Sequence, residues 1–129
     1  MIGSGVTSIH ASTFANVKNL KSIEVDENNS IYDSRGNSNS IIETATNKLI
    51  VGCENTIIPN SVTAIGANSF FGRNITSIVI PKTINAIGDM AMNIEKIYYE
   101  GTELERDSID KRPFWNTLSN YAVIYNYKK

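Results

Sequence analysis

The chain repeats one phrase at a fixed distance, and this repetition constrains its fold more than any other feature. Residues 58–66 read IPNSVTAIG and residues 80–88 read IPKTINAIG, an offset of 22 residues. A period of this length is typical of solenoids, in which each repeat forms one coil that stacks on the next. The sequence therefore predicts an interior of apolar ladders and a side wall that offers a binding surface.

The same spacing of apolar residues defines three repeats, at 5–25, 56–81 and 82–99. In each repeat, an apolar pair three residues apart is followed five residues later by an aromatic residue or methionine. An apolar triplet with spacings of three and two comes next. The apolar positions are Val6, Ile9, Phe14, Leu20, Ile23 and Val25; Val62, Ile65, Phe70, Ile75, Ile78 and Ile80; and Ile84, Ile87, Met92, Ile94, Ile97 and Tyr99.

Each apolar triplet predicts a short strand with one buried face. Because successive side chains of a strand point to opposite faces, Ile78 and Ile80 should be buried while Ser77 and Val79 face outward. Pro81 should end this strand, since proline has no N–H to donate to a ladder. The repeats therefore predict a mainly β fold.

A sharp corner is predicted directly after the apolar pair in the second and third repeats. Gly66 and Gly88 stand at this corner, and we expect glycine there because it adopts positive φ without a steric penalty. Residues 67–71 are predicted to form one turn of α- or 3₁₀-helix that buries Phe70. Short helical turns thus complete the mainly β fold.

Residues 26–55 interrupt the repeats and predict an inserted β-hairpin. Two apolar runs, 41–44 and 49–52, flank a polar stretch with Asn47 in the turn. We therefore treat the chain as one domain of three repeats with an insert between the first and the second.

The polar stretch before the hairpin has two interpretations. Asp26, Asn28 and Ser30 place oxygen ligands at the spacing of a calcium loop. However, Ile31 stands where such a loop needs glycine, and Asn37 stands where it needs glutamate. We therefore favour solvated turns and expect no metal or cofactor.

Residues 100–129 are predicted to cap the last repeat with a helix and a strand. Thr102 and Glu105 form a capping-box pattern, so a helix should begin near Glu103. A lid has a physical reason, because an open solenoid edge would template aggregation. An alternative role for Trp115 is stacking on a ligand. The groups expected to cover the edge are Leu104, Ile109, Phe114, Trp115 and a closing strand at 122–127.

These repeats resemble the BspA-like, or Treponema-type, leucine-rich repeats. The phrases IPNSVTAIG with a later Phe and ITSIVIP are similar to the consensus L-x-x-I-x-I-P-x-S-V-x-x-I-G-x-x-A-F. The match is close in 56–81, partial in 82–99, and without the Ile-Pro start in 5–25. The insert and the tail IYYEGTELERDSI also resemble segments of this family. The resemblance implies a right-handed solenoid from a bacterial surface or secreted protein, with an adhesive role and no catalytic residues.

Composition indicates one small domain without a nucleic-acid or membrane-spanning role. The chain has 129 residues, of which 41% are hydrophobic, and 12 basic against 13 acidic residues. This near-neutral charge argues against phosphate binding, and no apolar run is long enough to span a bilayer. No secretion signal precedes the first repeat. Since the resemblance implies export, we expect a fragment of a longer repeat protein.

Catalytic patterns are lacking in the sequence, so we expect no enzyme. Cys53 is the sole cysteine and His10 the sole histidine, and the two are far apart in the sequence. We interpret Cys53 as a small apolar residue at a strand end, against the remote alternative of a Cys/His hydrolase. No nucleophile elbow, metal-ligand spacing or phosphate loop is present.

Function is therefore expected on the outward face of the strand ladder. One column of this face reads Glu24, Ile57, Val79 and Tyr98, and tyrosine is frequent at interfaces. Two alternatives remain open: such residues simply favour strands, and the insert hairpin is placed to cover them. The candidate ligand-contact residues are Glu24, Ile57, Ser77, Val79, Lys96 and Tyr98.

Two functions follow from these expectations. The first is a non-catalytic module that binds a host extracellular-matrix protein, a plasma protein or a glycan at the cell surface. The second is a structural spacer that has no ligand of its own within a larger surface protein. The sequence leaves the identity of the ligand and the oligomeric state open.

Overall fold

The computed structural model describes residues 1–10, 14, 19–73, 75–112, 114–118 and 120–128. Within these residues the protein consists mainly of short strands, with a single five-residue α-helix and a 3₁₀ segment at Arg35–Asn37. This confirms the predicted mainly β class. The elements are β1 (Tyr32–Asp33), β2 (Ile41–Glu43), β3 (Lys48–Val51), β4 (Ala64–Ile65), β5 (Ser77–Ile80), β6 (Ala86–Ile87), β7 (Lys96–Tyr99), α1 (Glu103–Asp107), β8 (Asp110–Lys111) and β9 (Ala122–Ile124).

One sheet consists of three parallel strands in the order β5–β7–β9. Val79 of β5 lies beside Tyr98 of β7, and Tyr98 lies beside Ile124 of β9. Ile78 and Ile80 are buried as predicted, and the strand ends directly before a proline. The sheet therefore has one face in the core and one face directed outward.

A second sheet has the order β1–β2–β3–β4–β6–β8. Its strands β4, β6 and β8 pair in parallel, with Ala64 beside Ala86 and Ala86 beside Asp110. The strands of the insert, β2 and β3, pair antiparallel through a turn in which Asn47 has a φ of 57°. Because β3 runs parallel to β4, with Lys48 beside Ala64, the insert extends this second sheet.

The core contains two clusters of buried side chains. The main cluster holds inward residues of both sheets and includes Phe70, which is completely buried as predicted. The smaller cluster packs Val25, at the end of the first repeat, against Tyr32, Ile41 and Val51 of the insert. Residues 11–13 and 15–18 of the first repeat lie outside the described residues.

Gly66 and Gly88 have a different role from the one predicted, because neither adopts a positive φ. Both instead lie where neighbouring segments approach closely. A Cβ on Gly88 would lie 2.5 Å from the nitrogen of Ala67, and a Cβ on Gly66 would lie 2.9 Å from the carbonyl oxygen of Leu49. The repeat therefore needs glycine for the close approach of adjacent backbones.

The corner after these glycines is formed by turns, so the predicted helical turn at 67–71 is wrong. Left-handed φ values occur two residues after each glycine, at Asn68 (60°) and Met90 (51°), and again at Phe114 (63°). A residue in this conformation cannot continue an α- or 3₁₀-helix, which requires a negative φ. The chain therefore turns at a position that the sequence does not mark with glycine.

A buried arginine joins the two core clusters, and no sequence pattern singled it out. Arg73 is only 4% exposed. Its Nε donates to the carbonyl of Gly52 at 3.1 Å and its Nη1 donates to the carbonyl of Phe14 at 2.7 Å. Burial lowers the pKa of Arg73. Its Nη1 also donates to the carbonyl of Phe71 at 3.3 Å. These hydrogen bonds offset part of the cost of burying the charge, and they tie the second repeat to the insert through Gly52 and to the first repeat through Phe14.

The helix α1 begins where the capping box predicted it. The Thr102 hydroxyl accepts from the Glu105 amide at 3.1 Å, and the Glu105 carboxylate accepts from the Thr102 amide at 3.0 Å. Leu104, however, is 80% exposed, so the prediction that it packs on the last repeat is wrong. Arg106, about 200° further around the helix, takes the inward position instead and lies 5.8 Å from the ring centroid of Tyr125.

The segment after α1 covers the core with fewer residues than predicted. Ile109 is buried in the main cluster, as expected. Trp115 is half-buried against this cluster and contacts Tyr121, with ring centroids 5.3 Å apart. Phe114 is 73% exposed, so its predicted covering role is wrong, because it occupies the left-handed corner position that also exposes Met90.

Candidate functional site

A groove lies on the outward face of the β5–β7–β9 sheet, and we call it the strand-face groove. Its volume is about 400 Å³, within the range of about 300–1,000 Å³ that is typical of ligand sites. Strands β5 and β7, the segment after the insert and the C-terminal tail all contribute to it. The lining residues are Thr56, Ile57, Ser77, Ile78, Val79, Tyr98 and Tyr127.

Four of the six predicted contact residues meet in this groove: Ile57, Ser77, Val79 and Tyr98. The pairing of β5 with β7 explains why Val79 and Tyr98 are neighbours. Ile57 is 65% exposed and Ser77 is also exposed, whereas Val79 and Tyr98 are half-buried. The structure thus brings these residues together, while their contact with a ligand stays a prediction.

Lys96 lies beside the groove. Strand pairing places it next to Ser77, and its Nζ lies 5.3 Å from the ring centroid of Tyr98. This distance is within the range of a cation–π interaction. In the described part of the chain Lys96 forms no salt bridge. It therefore provides a positive charge at the aromatic end of the strand-face groove.

Glu24 lies outside the strand-face groove. It lines a separate depression near the N-terminus together with Met1 and Ile2, and its carbonyl accepts from the Ile2 amide at 2.8 Å. The Glu54 amide donates to the carbonyl of Leu20 at 3.1 Å, which in a parallel ladder sets Glu24 level with Ile57, but the Ile57 amide donates to the carbonyl of Ser38 instead of to the first repeat. Glu24 therefore lies outside the groove that Ile57 lines, and its contact with a ligand stays a prediction.

Tyr127 is a groove residue that the sequence analysis missed. Its ring centroid lies 4.7 Å from that of Tyr98, with 48° between the ring planes. Its amide donates to the carbonyl of Tyr99 at 2.9 Å, which joins the tail to the edge of β7 that pairs with β9. A period of two would place Tyr127 on the same face as Tyr125, which packs on the inward-facing Tyr99. The left-handed φ of 56° at Asn126 breaks this alternation, so no local pattern marked Tyr127 as an outward residue.

The insert does not cover the strand-face groove. Its strands β2 and β3 belong to the other sheet, and none of residues 26–55, all of which are described, lines the groove. The alternative that the hairpin hides the apolar column is therefore wrong. The part of the chain that lies over Tyr98 is the tail residue Tyr127.

The lining of the strand-face groove is uncharged. Behind it, on the inward face of β7, burial raises the pKa of Tyr99, and the charge of Glu105 raises it further. Tyr99 is therefore neutral at physiological pH and supports the groove as an apolar side chain. The chemistry of the groove is apolar and aromatic contact, with hydroxyl groups from Ser77 and the two tyrosines. The Thr56 hydroxyl is already engaged, since it donates to the carbonyl of Asn39 and accepts from the Cys53 amide.

The other candidates from the sequence form no site. Cys53 is 1% exposed and its Sγ donates to the carbonyl of Asn39 at 3.3 Å, whereas His10 is exposed. The Asp26 carboxylate accepts from the Asn28 amide at 2.8 Å, as in an ordinary turn. Within the described ranges, no three His, Cys, Asp or Glu side chains gather as a metal site would require.

No helix in the described part of the chain is long and apolar enough to cross a membrane.

Comparisons with known proteins agree with this architecture. A crystal structure of a leucine-rich repeat protein from Eubacterium ventriosum ATCC 27560 is similar, with a TM-score of 0.51 and 20% sequence identity. The match covers 76% of this chain but 35% of that one, so this chain spans about a third of the length of that protein. A search of curated protein sequences finds no significant match.

The sequence model described as "BspA type Leucine rich repeat region (6 copies)" matches residues 1–52 and 40–126. These matches cover most of the chain, including the insert and the C-terminal region. The repeated phrases at 58 and 80 lie within the second match. The chain therefore belongs to the BspA-type leucine-rich repeat family.

Proposed function

We propose that this protein is a non-catalytic binding module whose ligand contacts the strand-face groove. One observation carries the proposal: a groove with an uncharged and mainly apolar or aromatic lining lies on the outward face of a parallel sheet. Large apolar groups on a nominally solvent-facing surface are typical of interaction sites. Leucine-rich repeats also form repeat modules that commonly bind proteins.

The energetics favour a ligand centred on Ile57 and the pair Tyr98 and Tyr127. Ile57 is 65% exposed, so covering it would contribute on the order of 1–2 kcal/mol. Tyrosine residues dominate binding energy at many interfaces because they bury large area with few rotatable bonds. The two tyrosines already contact each other, so binding fixes little additional side-chain freedom.

The cellular setting is part of the proposal. We place the protein at the surface of a bacterium or among its secreted proteins, where it would adhere to a host extracellular-matrix protein, a plasma protein or a glycan. The support is the BspA-type family, whose members are generally surface-associated, together with the similar bacterial leucine-rich repeat protein.

We also propose that the chain forms a right-handed solenoid with an inserted hairpin and a C-terminal cap. Its units would be the repeats 5–25, 56–81 and 82–99, the insert 26–55 and the cap 100–129. The parallel pairing of β4 with β6 and of β5 with β7 supports this arrangement, since each pair joins equivalent positions of two repeats.

A structural spacer without a ligand is the second candidate. The observation in its favour is that Tyr127 of the same chain already packs on Tyr98. This contact reduces the aromatic surface that an external ligand can bury. A spacer requires only that repeats stack and hold their neighbours in line.

A binding experiment separates the two functions. Matrix proteins, plasma proteins and glycans are immobilised, and saturable binding of the wild-type chain is compared with that of the double variant Val79→Glu and Tyr98→Glu. The matched control, Leu104→Glu and Phe114→Glu, adds the same charge at two exposed residues outside the groove. Circular dichroism checks that all three proteins are folded.

We expect saturable wild-type binding that the groove variant loses and the control retains. Binding that survives in the groove variant would place the ligand elsewhere on the protein. Wild-type protein that binds nothing in the panel would instead support the spacer function.

A further inference from the structure

We propose that the strand-face groove accepts an extended peptide segment, which adds to the sheet as a new strand along the free edge of β5. This inference rests on the proposed function and names the class of its ligand. The segment carries small apolar side chains toward the groove and an acidic side chain toward Lys96.

The direction of the backbone groups of β5 follows from one hydrogen bond. The Glu100 amide donates to the carbonyl of Ile80 at 3.1 Å. In a parallel pair, alternate residues direct both their N–H and their C=O groups to the same neighbouring strand. Ile78 and Ile80 therefore face β7, and the backbone groups of Ser77 and Val79 face the opposite edge.

This opposite edge has no partner strand in the described part of the chain. β5 is the terminal strand of its sheet. The repeat register places residues 55–58 beside it, yet no backbone hydrogen bond joins these residues to β5. The Ile57 amide donates instead to the carbonyl of Ser38 at 3.0 Å, and the Thr56 amide donates to the carbonyl of Cys53 at 3.2 Å.

The backbone hydrogen-bond ladder therefore stops between residues 55–58 and β5, at the position of the strand-face groove. The insert holds Ile57 to Ser38, before β2, and Thr56 to Cys53, after β3, while the N–H and C=O groups of Val79 that face this side have no backbone partner among the described residues. Unpaired backbone groups at a sheet edge are a template for one further strand. Addition of an extended peptide satisfies them, and alternate side-chain contacts then supply specificity.

The side chains around the gap define the chemistry of the peptide. Ile57, Val79 and Tyr98 are apolar or aromatic, and none of the lining residues is charged. Lys96 adds a positive charge beside Tyr98 and has no carboxylate partner among the described residues. Charge complementarity therefore favours a peptide in which an aspartate or glutamate follows apolar residues.

Selection from a phage-displayed library of random linear peptides provides the probe. Amide exchange of the wild-type protein is then followed by NMR with and without the synthetic form of each selected peptide. We expect the Val79 amide to exchange rapidly in the free protein and at least about tenfold more slowly with bound peptide. Selected sequences should be enriched in acidic residues.

Two variants test the backbone contact separately from the side chain. Val79→Pro removes the N–H at an edge where proline is tolerated, and Val79→Ala removes most of the side chain but keeps the N–H. Affinity for the selected peptide should fall about tenfold or more in Val79→Pro, as expected for one lost hydrogen bond in a desolvated site. It should change by less than about threefold in Val79→Ala.

Three results would overturn the inference. These are a library without binders, bound peptides that leave the Val79 amide unprotected, and equal affinity loss in the two Val79 variants. If glycans or folded proteins still bind the wild-type chain and not the Tyr98→Glu variant, the proposed function stands while the strand-addition inference fails. The exchange measurement needs no variant, so a misfolded Val79→Pro protein does not prevent the test.

Discussion

A methyl group added at Gly88 should destabilise this protein although the backbone there is not left-handed. In Gly88→Ala the new Cβ would lie 2.5 Å from the nitrogen and 2.9 Å from the Cα of Ala67. These are backbone atoms of the neighbouring repeat, so no side chain can rotate away. The hydrogen bond from the Gly88 amide to the carbonyl of Ile65, at 2.8 Å, would be strained as the segments separate.

The expected cost is that of overpacking a close contact, about 1–3 kcal/mol. For a domain of this size, each kcal/mol corresponds to roughly 4 °C in Tm, so the Tm should fall by about 4–12 °C. Met90→Gly tests the same corner from the opposite direction, because Met90 has a left-handed φ of 51° that glycine adopts without strain. Relief of left-handed strain, about 1–2 kcal/mol, should offset the entropy cost of glycine, about 0.5–1 kcal/mol.

Urea unfolding followed by circular dichroism measures these free energies. Gly3→Ala is the matched control, because a Cβ there meets nothing within 4 Å, and its stability should stay within about 0.5 kcal/mol of the wild type. The reasoning would be refuted by a Gly88→Ala protein as stable as the wild type. A strongly destabilised Met90→Gly protein would equally contradict it.

Three further predictions concern the core, the insert and the cap. Phe70→Ala should lower the free energy of unfolding by about 3–5 kcal/mol in urea titrations, because the ring is completely buried. Burial raises the pKa of Asp33, but hydrogen bonds from Arg35 and Thr44 outweigh it and leave that pKa below its usual value. The stabilisation is therefore present above the ordinary pKa and lost as the pH falls through the lowered one. Urea midpoints of the wild type should thus drop more steeply than those of Asp33→Asn below about pH 4. Thr102→Ala should cost about 1 kcal/mol in thermal unfolding and Thr102→Ser almost nothing, since serine keeps the hydroxyl that accepts from the Glu105 amide and alanine removes it.

The candidate site shows where sequence reasoning worked and where it stopped. Alternation along β5 and β7 placed Ser77, Val79 and Tyr98 on the outward face, because strand geometry is a local property. Tyr127 was missed because its contact with Tyr98 depends on the left-handed turn at Asn126, which breaks the alternation of the tail beside β7. The repeat column grouped Glu24 with these residues, whereas in the structure it lines a separate depression near the N-terminus.

The sequence by itself determined the repeat, the inward residues and the capped helix. Each of these depends on chemistry within a few residues: alternating burial around Ile78, Pro81 after a strand, and the reciprocal hydrogen bonds of Thr102 and Glu105. Because the pattern recurs every 22 residues, the same local rules apply again in the next repeat. The resemblance to the BspA-type family was identified from the repeated phrases that result.

Only the tertiary structure decided why Gly88 is glycine, where the corner turns and which edge of β5 remains open. These features depend on the distance between residues that lie a whole repeat apart, such as Gly88 and Ala67. The open edge arises because Ile57 donates its amide to Ser38 of the insert rather than to the ladder. A backbone amide has a single proton to donate, so the choice between two possible acceptors is settled by packing and not by residue type.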